Sequence, residues 1–474
     1  MDYEKLHSVA LIPARLSSRA MWIAVLGLAV AKGLVWSAVL PPWYGPDEAS
    51  HYAYVQELVE NGWLPRATDA NAALYYPPDI VCSESNLDLT LYGGFHAEPP
   101  FGIPMAPCSA SSPADRLGSR PINAAAGYSP VYYAAAVPFY LLTRPLAVEA
   151  RLDSVRLWSV VLGVLAAAFA YLAARWAFPE SPYLAFAAAV LFTVQPMNSQ
   201  QTAIVNNDAL LIAVTAAFWW RFFRALRVGV SAREGVVLGG LIGLAYLAKP
   251  QGLFLAALLP VLYVVGLPRM PVRSEMSRLG GLAAAAAVPI IAAIGIGRIF
   301  SQVAGNTSAL IPTAPGVHGI SQYLSVYSVY HFERLYIIWI TSFWGYFGWF
   351  QVDLPSLIYV AIALAVAAGL AGAVWMAARS APLRPVLVAA MLGYLVPAAL
   401  IQLLEAYTFQ SSGQLILQGR SFLMVLFPLL VLLIRGWQRL LPARASGLLA
   451  PAIILAGVGL NVISVLAMVD GFYG

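Results

Sequence analysis

The feature that most constrains this chain is a succession of apolar runs, mostly about 17–23 residues long with few charges inside, the length a helix needs to cross a bilayer. They occupy residues 20–40 and then roughly 128–147, 152–175, 181–203, 208–222, 234–249, 251–267, 279–299, 354–377, 386–404, 420–436 and 447–468. Only 10% of the 474 residues are charged, against about 25% in an ordinary soluble domain. The expected fold class is an all-α polytopic membrane protein. Residues 20–40 are too long and too apolar for a cleaved signal peptide, and no small-residue cleavage site follows, so they read as an uncleaved first span.

Charge placement orients the spans. Lys5, Arg15 and Arg19 precede the first one, which predicts a cytoplasmic N-terminus. Four later loops are arginine-rich: Arg221, Arg224, Arg227 and Arg233; Arg269, Arg273 and Arg278; Arg379 and Arg384; Arg435, Arg439 and Arg444. All four fall inside only if one run between 128 and 203 does not cross. The run 128–147 is that one. Pro130, Pro138 and Pro145 interrupt its helical hydrogen bonding, and Tyr128, Tyr132, Tyr133 and Tyr140 favour the membrane surface. About eleven spans remain, in an integral, multi-pass protein of the inner or plasma membrane. The net charge of +5 does not point to nucleic acid, because most arginines sit in these short loops.

Residues 41–127 differ in character. This polar loop holds Asp47, Glu48, Glu57, Glu60, Asp69, Asp79, Glu84, Asp88, Glu98 and Asp115, ten of the chain's 22 acids, against Arg66, Arg116 and Arg120. Its length suggests a partly folded outer module. Cys82 and Cys108 share it and would pair in an oxidising compartment. The topology also puts Asn206-Asn207-Asp208, Lys249-Pro250, the stretch 300–353 and Gln418-Gly419-Arg420 on the same outer face.

That face carries the candidate chemistry. Asp47 and Glu48 follow Pro46 where the first span surfaces, which suits an ordinary helix start. Two carboxylates at a membrane exit also suit a general base with a helper, and His51 lies one helical turn beyond Asp47 as a hydrogen-bonding partner. Asp208 heads an apolar span behind Asn207, as a dipole-complementing acid or as part of a second outer site. A divalent metal held by Asp47, Glu48 and Asp208 is an open alternative. Lys249 is either a snorkelling turn residue or a phosphate partner. Arg420 runs against the positive-inside bias and so needs an anion, either a lipid phosphate or an acid such as Glu405. Arg298 and Arg334 are lesser candidates. The aromatic stretch 342–350 fits an interface belt, and its rings also fit sugar faces. No Walker A sequence, zinc-type His/Glu spacing, dinucleotide glycine fingerprint or serine elbow is present, which argues against ATP-driven transport and soluble nucleotide-sugar chemistry.

Taken together, these motifs resemble the membrane-embedded glycosyltransferases of the GT-C fold, which include protein O-mannosyltransferases and the aminoarabinose transferase of lipid A. The similarity lies in Asp47-Glu48 after the first span, Tyr128-Ser129-Pro130-Val131-Tyr132-Tyr133, Asn207-Asp208, Lys249-Pro250, the Phe-Trp-Gly and Phe-Gly-Trp stretches, and Gln418-Gly419-Arg420. The last three are closest to a bacterial branch of uncharacterised predicted transferases. Ser129 departs from the paired prolines of that family, and no large soluble outer domain follows the last span.

The resemblance implies a GT-C-like catalytic transmembrane module over 1–299, with interfacial helices in an outer loop 41–151, then a second outer loop over 300–353 and C-terminal transmembrane helices over 354–474. It implies transfer of a sugar, with inversion, from a polyprenyl-phosphate carrier to an acceptor hydroxyl on a glycan, lipid or protein. Asp47 maps onto the catalytic base, Glu48 onto the second acid and Asp208 onto the acid of the second outer loop, with Arg420 and Lys249 expected to hold the phosphate. Three other readings stand beside it. An O-antigen-ligase-like enzyme would use His318 or His331. A lipid-linked sugar flippase would need a polar path, of which Lys32 is the main hint. A structural membrane subunit needs neither.

Overall fold

The computed structural model describes residues 17–60, 62, 64, 77–86, 108, 125–266, 272–303, 319–329, 336–413, 415 and 417–474. Lys5, Arg15, Arg66, Arg269, His318, His331 and Arg334 lie outside these, as does most of the acidic loop.

The described chain is helical almost throughout. Helix α1 (Ser18–Val39) begins where the Ser17 hydroxyl accepts a hydrogen bond from the Ala20 N–H, and ends where the Leu40 N–H bonds the Trp36 carbonyl. There follow α2 (Glu48–Glu60), α3 (Pro78–Asn86), α4 (Val131–Thr143), α5 (Val148–Ala177), α6 (Pro182–Val194), α7 (Pro196–Gln201), α8 (Asp208–Val228) and α9 (Ala232–Ala248). Beyond these come Val272–Val303, Ile320–Val329, Ser356–Arg379, Arg384–Ser412, Leu426–Leu440 and Leu449–Tyr473. A two-residue antiparallel ribbon pairs Tyr346–Phe347 with Val352–Asp353.

Among the described residues eight helices have at least 18 residues and are apolar enough to cross a membrane, and the other three expected spans are built from shorter pieces. These three are broken or short, and prolines explain two of them. The run 181–203 breaks before Pro196, where Gln195 takes a ψ of 123° because a residue preceding proline is disfavoured in the α region. This leaves a 13-residue α6 and the short α7. Likewise Lys249, before Pro250, is extended (φ −153°, ψ 135°), and the chain resumes as nine residues of 3₁₀ helix, Pro250–Leu258, before Leu259–Gly266. The third, α9, is an unbroken helix of 17 residues, with Glu234 in its first turn paired with Arg221 and Arg224, and Lys249 at its C-cap beside Asp208. The run 128–147 forms the 13-residue α4, roughly 20 Å at 1.5 Å per residue and too short to cross a bilayer, packed against α2 and α5.

Burial sorts the spans into layers. In Gly419–Leu440 and Asp208–Val228, 83% and 78% of the apolar window is enclosed, whereas Ala283–Val303 and Ser356–Arg379 enclose 17% and 22%. The outer helices display Leu357, Leu364, Val288 and Leu455 on the surface, a face that only lipid would cover without penalty. Close approach of the helices uses small residues: a side chain on Gly436 would overlap the Gly369 backbone, so Ser356–Arg379 and Leu426–Leu440 pack backbone to backbone there.

Candidate active site

The site is built on the loop that leaves α1. Turns closed by Tyr44 N–H to the Pro41 carbonyl and Glu48 N–H to the Gly45 carbonyl carry the chain into α2. Gly45 lies against Ile204, where an added Cβ would come within 2.9 Å of the side chain. The Asp47 carbonyl accepts the first helical bond, from the His51 N–H, yet Asp47 itself is left-handed, with φ at 61°. That region costs an L-residue roughly 1–2 kcal/mol and is least unfavourable for Asn and Asp. The helix-start reading holds for α2, but Asp47 stands just outside the helix.

This kink sends adjacent carboxylates to different partners. Glu48 is fully buried, accepts from Arg156 Nε at 2.8 Å and Nη2 at 2.6 Å, and also accepts from the Val205 N–H. Arg156, in α5, donates further to the carbonyls of Ser37, Leu40 and Pro41, so one guanidinium ties the end of α1, the loop and α2 together. Asp47 instead faces Arg420, whose Nη2 lies 2.7 Å from Oδ2 and whose Nη1 reaches the Pro46 carbonyl at 3.3 Å. The acid that Arg420 meets is therefore Asp47. Glu405 accepts from the Leu417 N–H and from Tyr323 and Gln402.

A second pair adjoins the first. Asp208 at the start of α8 meets Lys249 at 2.6 Å. Asn206 Oδ1 accepts from the Asp208 N–H, while Asn207, at the N-cap position of α8, makes no side-chain cap bond and turns its amide to the Ala248 carbonyl at the end of α9. Asp208 Oδ2 is buried with no hydrogen-bond partner. The two pairs share one field. Burial would raise the Asp47 pKa, but the Arg420 charge, with a contribution from Lys249, holds it below the ordinary aspartate value.

His51 lies among these four charges. Burial pushes its pKa down to about 3, against the pull of Asp47, so the ring is neutral near pH 7. Nδ1 shares a 2.7 Å hydrogen bond with the Tyr133 hydroxyl, and the ring stacks against Tyr128 and Tyr133. The Tyr132 hydroxyl accepts from the Asn206 N–H and bonds Ser159. The two tyrosines thus connect the His51 side and the Asp208 side of the site.

Distant segments roof the loop. Gly419 N–H donates to Ser342 Oγ, and a Cβ on Gly419 would overlap the Phe343 backbone, so the Gln-Gly-Arg and Phe-Trp-Gly stretches fit each other and bring Arg420 to Asp47. The aromatic stretch is not a simple belt: Trp349 in the ribbon turn donates to the Trp43 carbonyl. Trp43 donates to Ser83, which donates to Glu149, and Cys82 is disulfide-bonded to Cys108. Arg151 pairs with Asp79, and Arg144 with Glu60.

The carboxylates considered for a divalent metal do not converge as a ligand set. Asp47, Glu48 and Asp208 each have their own basic partner, and among the described residues no group of three or more His, Cys, Asp or Glu is placed to hold a metal ion. Of the residues the sequence offers, Asp47, His51, Asp208, Lys249 and Arg420 come together here, whereas Glu48 turns to Arg156 and the Asn207 amide to the Ala248 carbonyl. Sequence reasoning missed Arg156, which lies inside a run expected to span. The signal was its charge in an apolar helix, where an ionisable residue demands a partner.

The sequence profile of a family described as predicted membrane protein (DUF2142) matches residues 30–433. No curated protein matches the sequence. Among solved structures, the chain is similar to ArnT from Cupriavidus metallidurans bound to undecaprenyl phosphate, at 16% identity and a TM-score of 0.48, covering 95% of this chain and 76% of that one. It is also similar to the Archaeoglobus fulgidus oligosaccharyltransferase in complex with Zn and sulfate, at 14% identity and a TM-score of 0.46, covering 94% of this chain and 53% of that one. The Archaeoglobus fulgidus oligosaccharyltransferase AglB in complex with an inhibitory peptide and a dolichol-phosphate is similar at 12% identity and a TM-score of 0.48, covering 95% and 56%. The chain thus spans about half the length of the archaeal proteins.

Proposed function

We propose that this chain, which belongs to the DUF2142 family of predicted membrane proteins, is a glycosyltransferase that moves a sugar from a polyprenyl-phosphate carrier to an acceptor hydroxyl on the outer face of the membrane. One observation carries the reading. Asp47 is held off its helix in a left-handed conformation and opposed to Arg420, 373 residues away, beside the Asp208–Lys249 pair. A carboxylate and two cations set at a membrane exit match a reaction that removes a proton from an alcohol and expels a phosphate.

In the mechanism, the acceptor hydroxyl gives its proton to Asp47 as its oxygen bonds the anomeric carbon. The bond from that carbon to the phosphate oxygen breaks on the opposite side, its electron pair goes to the phosphate, and the configuration inverts. Arg420 and Lys249 stabilise the developing charge. Glu48 keeps the loop in place through Arg156 and does not touch substrate. His51, neutral and bonded to Tyr133, fixes the start of α2. The outer-face assignment rests on the arginine distribution.

The test is direct. Purified protein is supplied with radiolabelled polyprenyl-phosphate sugars, with glycan, lipid and peptide acceptors in turn, and transfer and hydrolysis are followed. Asp47→Asn should abolish both while membrane insertion and folding persist; a variant of full activity would remove Asp47 from the chemistry.

A further inference from the structure

The proposed reaction sets two anions before one guanidinium: the Asp47 carboxylate and the carrier phosphate. We propose that Arg420 exchanges one for the other, holding Asp47 until the carrier arrives and then passing to the phosphate, so that donor binding releases the base. This inference rests on the transferase reading and adds to it an order of events.

Two neighbouring ion pairs differ in the way such an exchange requires. Glu48–Arg156 is bidentate, with side chains 0% and 1% exposed, and three backbone carbonyls complete it. No incoming anion reaches it. Asp47–Arg420 rests on one short contact, with the side chains 34% and 12% exposed, and Nη1 adds a 3.3 Å bond to the Pro46 carbonyl. A guanidinium has five N–H donors, so it has donors left for a phosphate oxygen at the open side of the pair. The backbone of Arg420 need not move, because Gly419 is packed against Phe343; a side-chain rotation suffices.

Charge balance favours the exchange. Asp47, Asp208, Arg420 and Lys249 sum to zero before the carrier binds. A sugar phosphodiester brings one negative charge, and cleavage leaves a dianion on the phosphate. In the same step the acceptor proton neutralises Asp47, so the carboxylate no longer competes for Arg420 as the phosphate gains in charge. Burial favours the protonated form of Asp47 and the Arg420 charge opposes it, so a released Asp47 is the stronger base.

The experiment measures binding of farnesyl phosphate, a short prenyl phosphate, to the full-length protein in detergent by calorimetry. Asp47→Asn, and Asp47→Ser as a second variant, should bind about tenfold more tightly than the unchanged protein, since Arg420 starts unpaired. Arg420→Ala should weaken binding, and adding Asp47→Asn to it should restore little. Equal or weaker binding by both Asp47 variants would overturn the exchange while leaving the transferase reading intact. So would a tenfold gain that persists without Arg420, which would mark simple removal of a negative charge. No binding of farnesyl phosphate by the unchanged protein would remove the transferase reading itself, and the exchange with it.

Discussion

Glu48 and Arg156 form a two-point ion pair, at 2.8 and 2.6 Å, between side chains no more than 1% exposed. Removing one partner leaves an uncompensated buried charge, which costs about 3–5 kcal/mol. Arg156→Met is therefore expected to lower the thermal unfolding midpoint sharply and to abolish transfer. Adding Glu48→Leu should recover only part of that stability, because the Ser37, Leu40 and Pro41 carbonyls still lack their donor. Differential scanning fluorimetry in detergent checks both variants.

Acid should destabilise the protein through His51. Its folded pKa of about 3 lies below the ordinary 6.5, so between these values the unfolded chain binds more protons and stability falls as the pH is lowered. The groups acting on it are Asp47, Asp208, Lys249 and Arg420. Asp47 adds a loss only near and below its ordinary 3.8, since its own pKa is held lower. The unfolding midpoint should decline from pH 7 to pH 5, and His51→Gln should flatten that slope; an unchanged slope in the variant would show that other groups cause it.

Lys249→Met should reduce turnover at saturating donor by about 10²–10³-fold, the usual effect of removing one charge-stabilising group from a transition state. Lys249→Arg should retain part of the rate. A change confined to KM would instead make Lys249 a binding contact equal in ground and transition states.

Gly419→Ala should cost about 1–3 kcal/mol and uncouple Arg420 from Asp47, because the new methyl group overlaps the Phe343 backbone. Gly27→Ala, where nothing lies within 4 Å, should be neutral or slightly stabilising in α1. Parallel unfolding and transfer assays compare the two.

Reduction of Cys82–Cys108, or Cys82→Ser, should lower stability by about 2–4 kcal/mol through the freed unfolded chain. Ser83 bonds Trp43 in the acid loop, so turnover should fall with it. Non-reducing electrophoresis confirms the bond and thermal unfolding reads the loss.

The membrane class was legible because it depends on composition along the chain: a helix in lipid needs a long apolar run, and such runs are local. The non-crossing segment 128–147 was legible for a related reason, since its prolines and tyrosines carry their own conformational and interfacial preferences. The break within the run 181–203 was not legible, because its apolar content outweighed Pro196, which ends α6 and starts the short α7.

The residue types of the site could be read from sequence, as Asp47, Asp208, Lys249 and Arg420 are costly at a membrane surface without a purpose. Their pairing could not. Which acid meets which base is decided by helices that pack across hundreds of residues, where Gly419 fits against Phe343 and α8 meets the end of α9. Nor could sequence separate Asp47 from Glu48, neighbours of like chemistry. Only the folded chain does so, because a left-handed backbone at Asp47 turns one carboxylate to Arg420 and the start of α2 buries the other on Arg156.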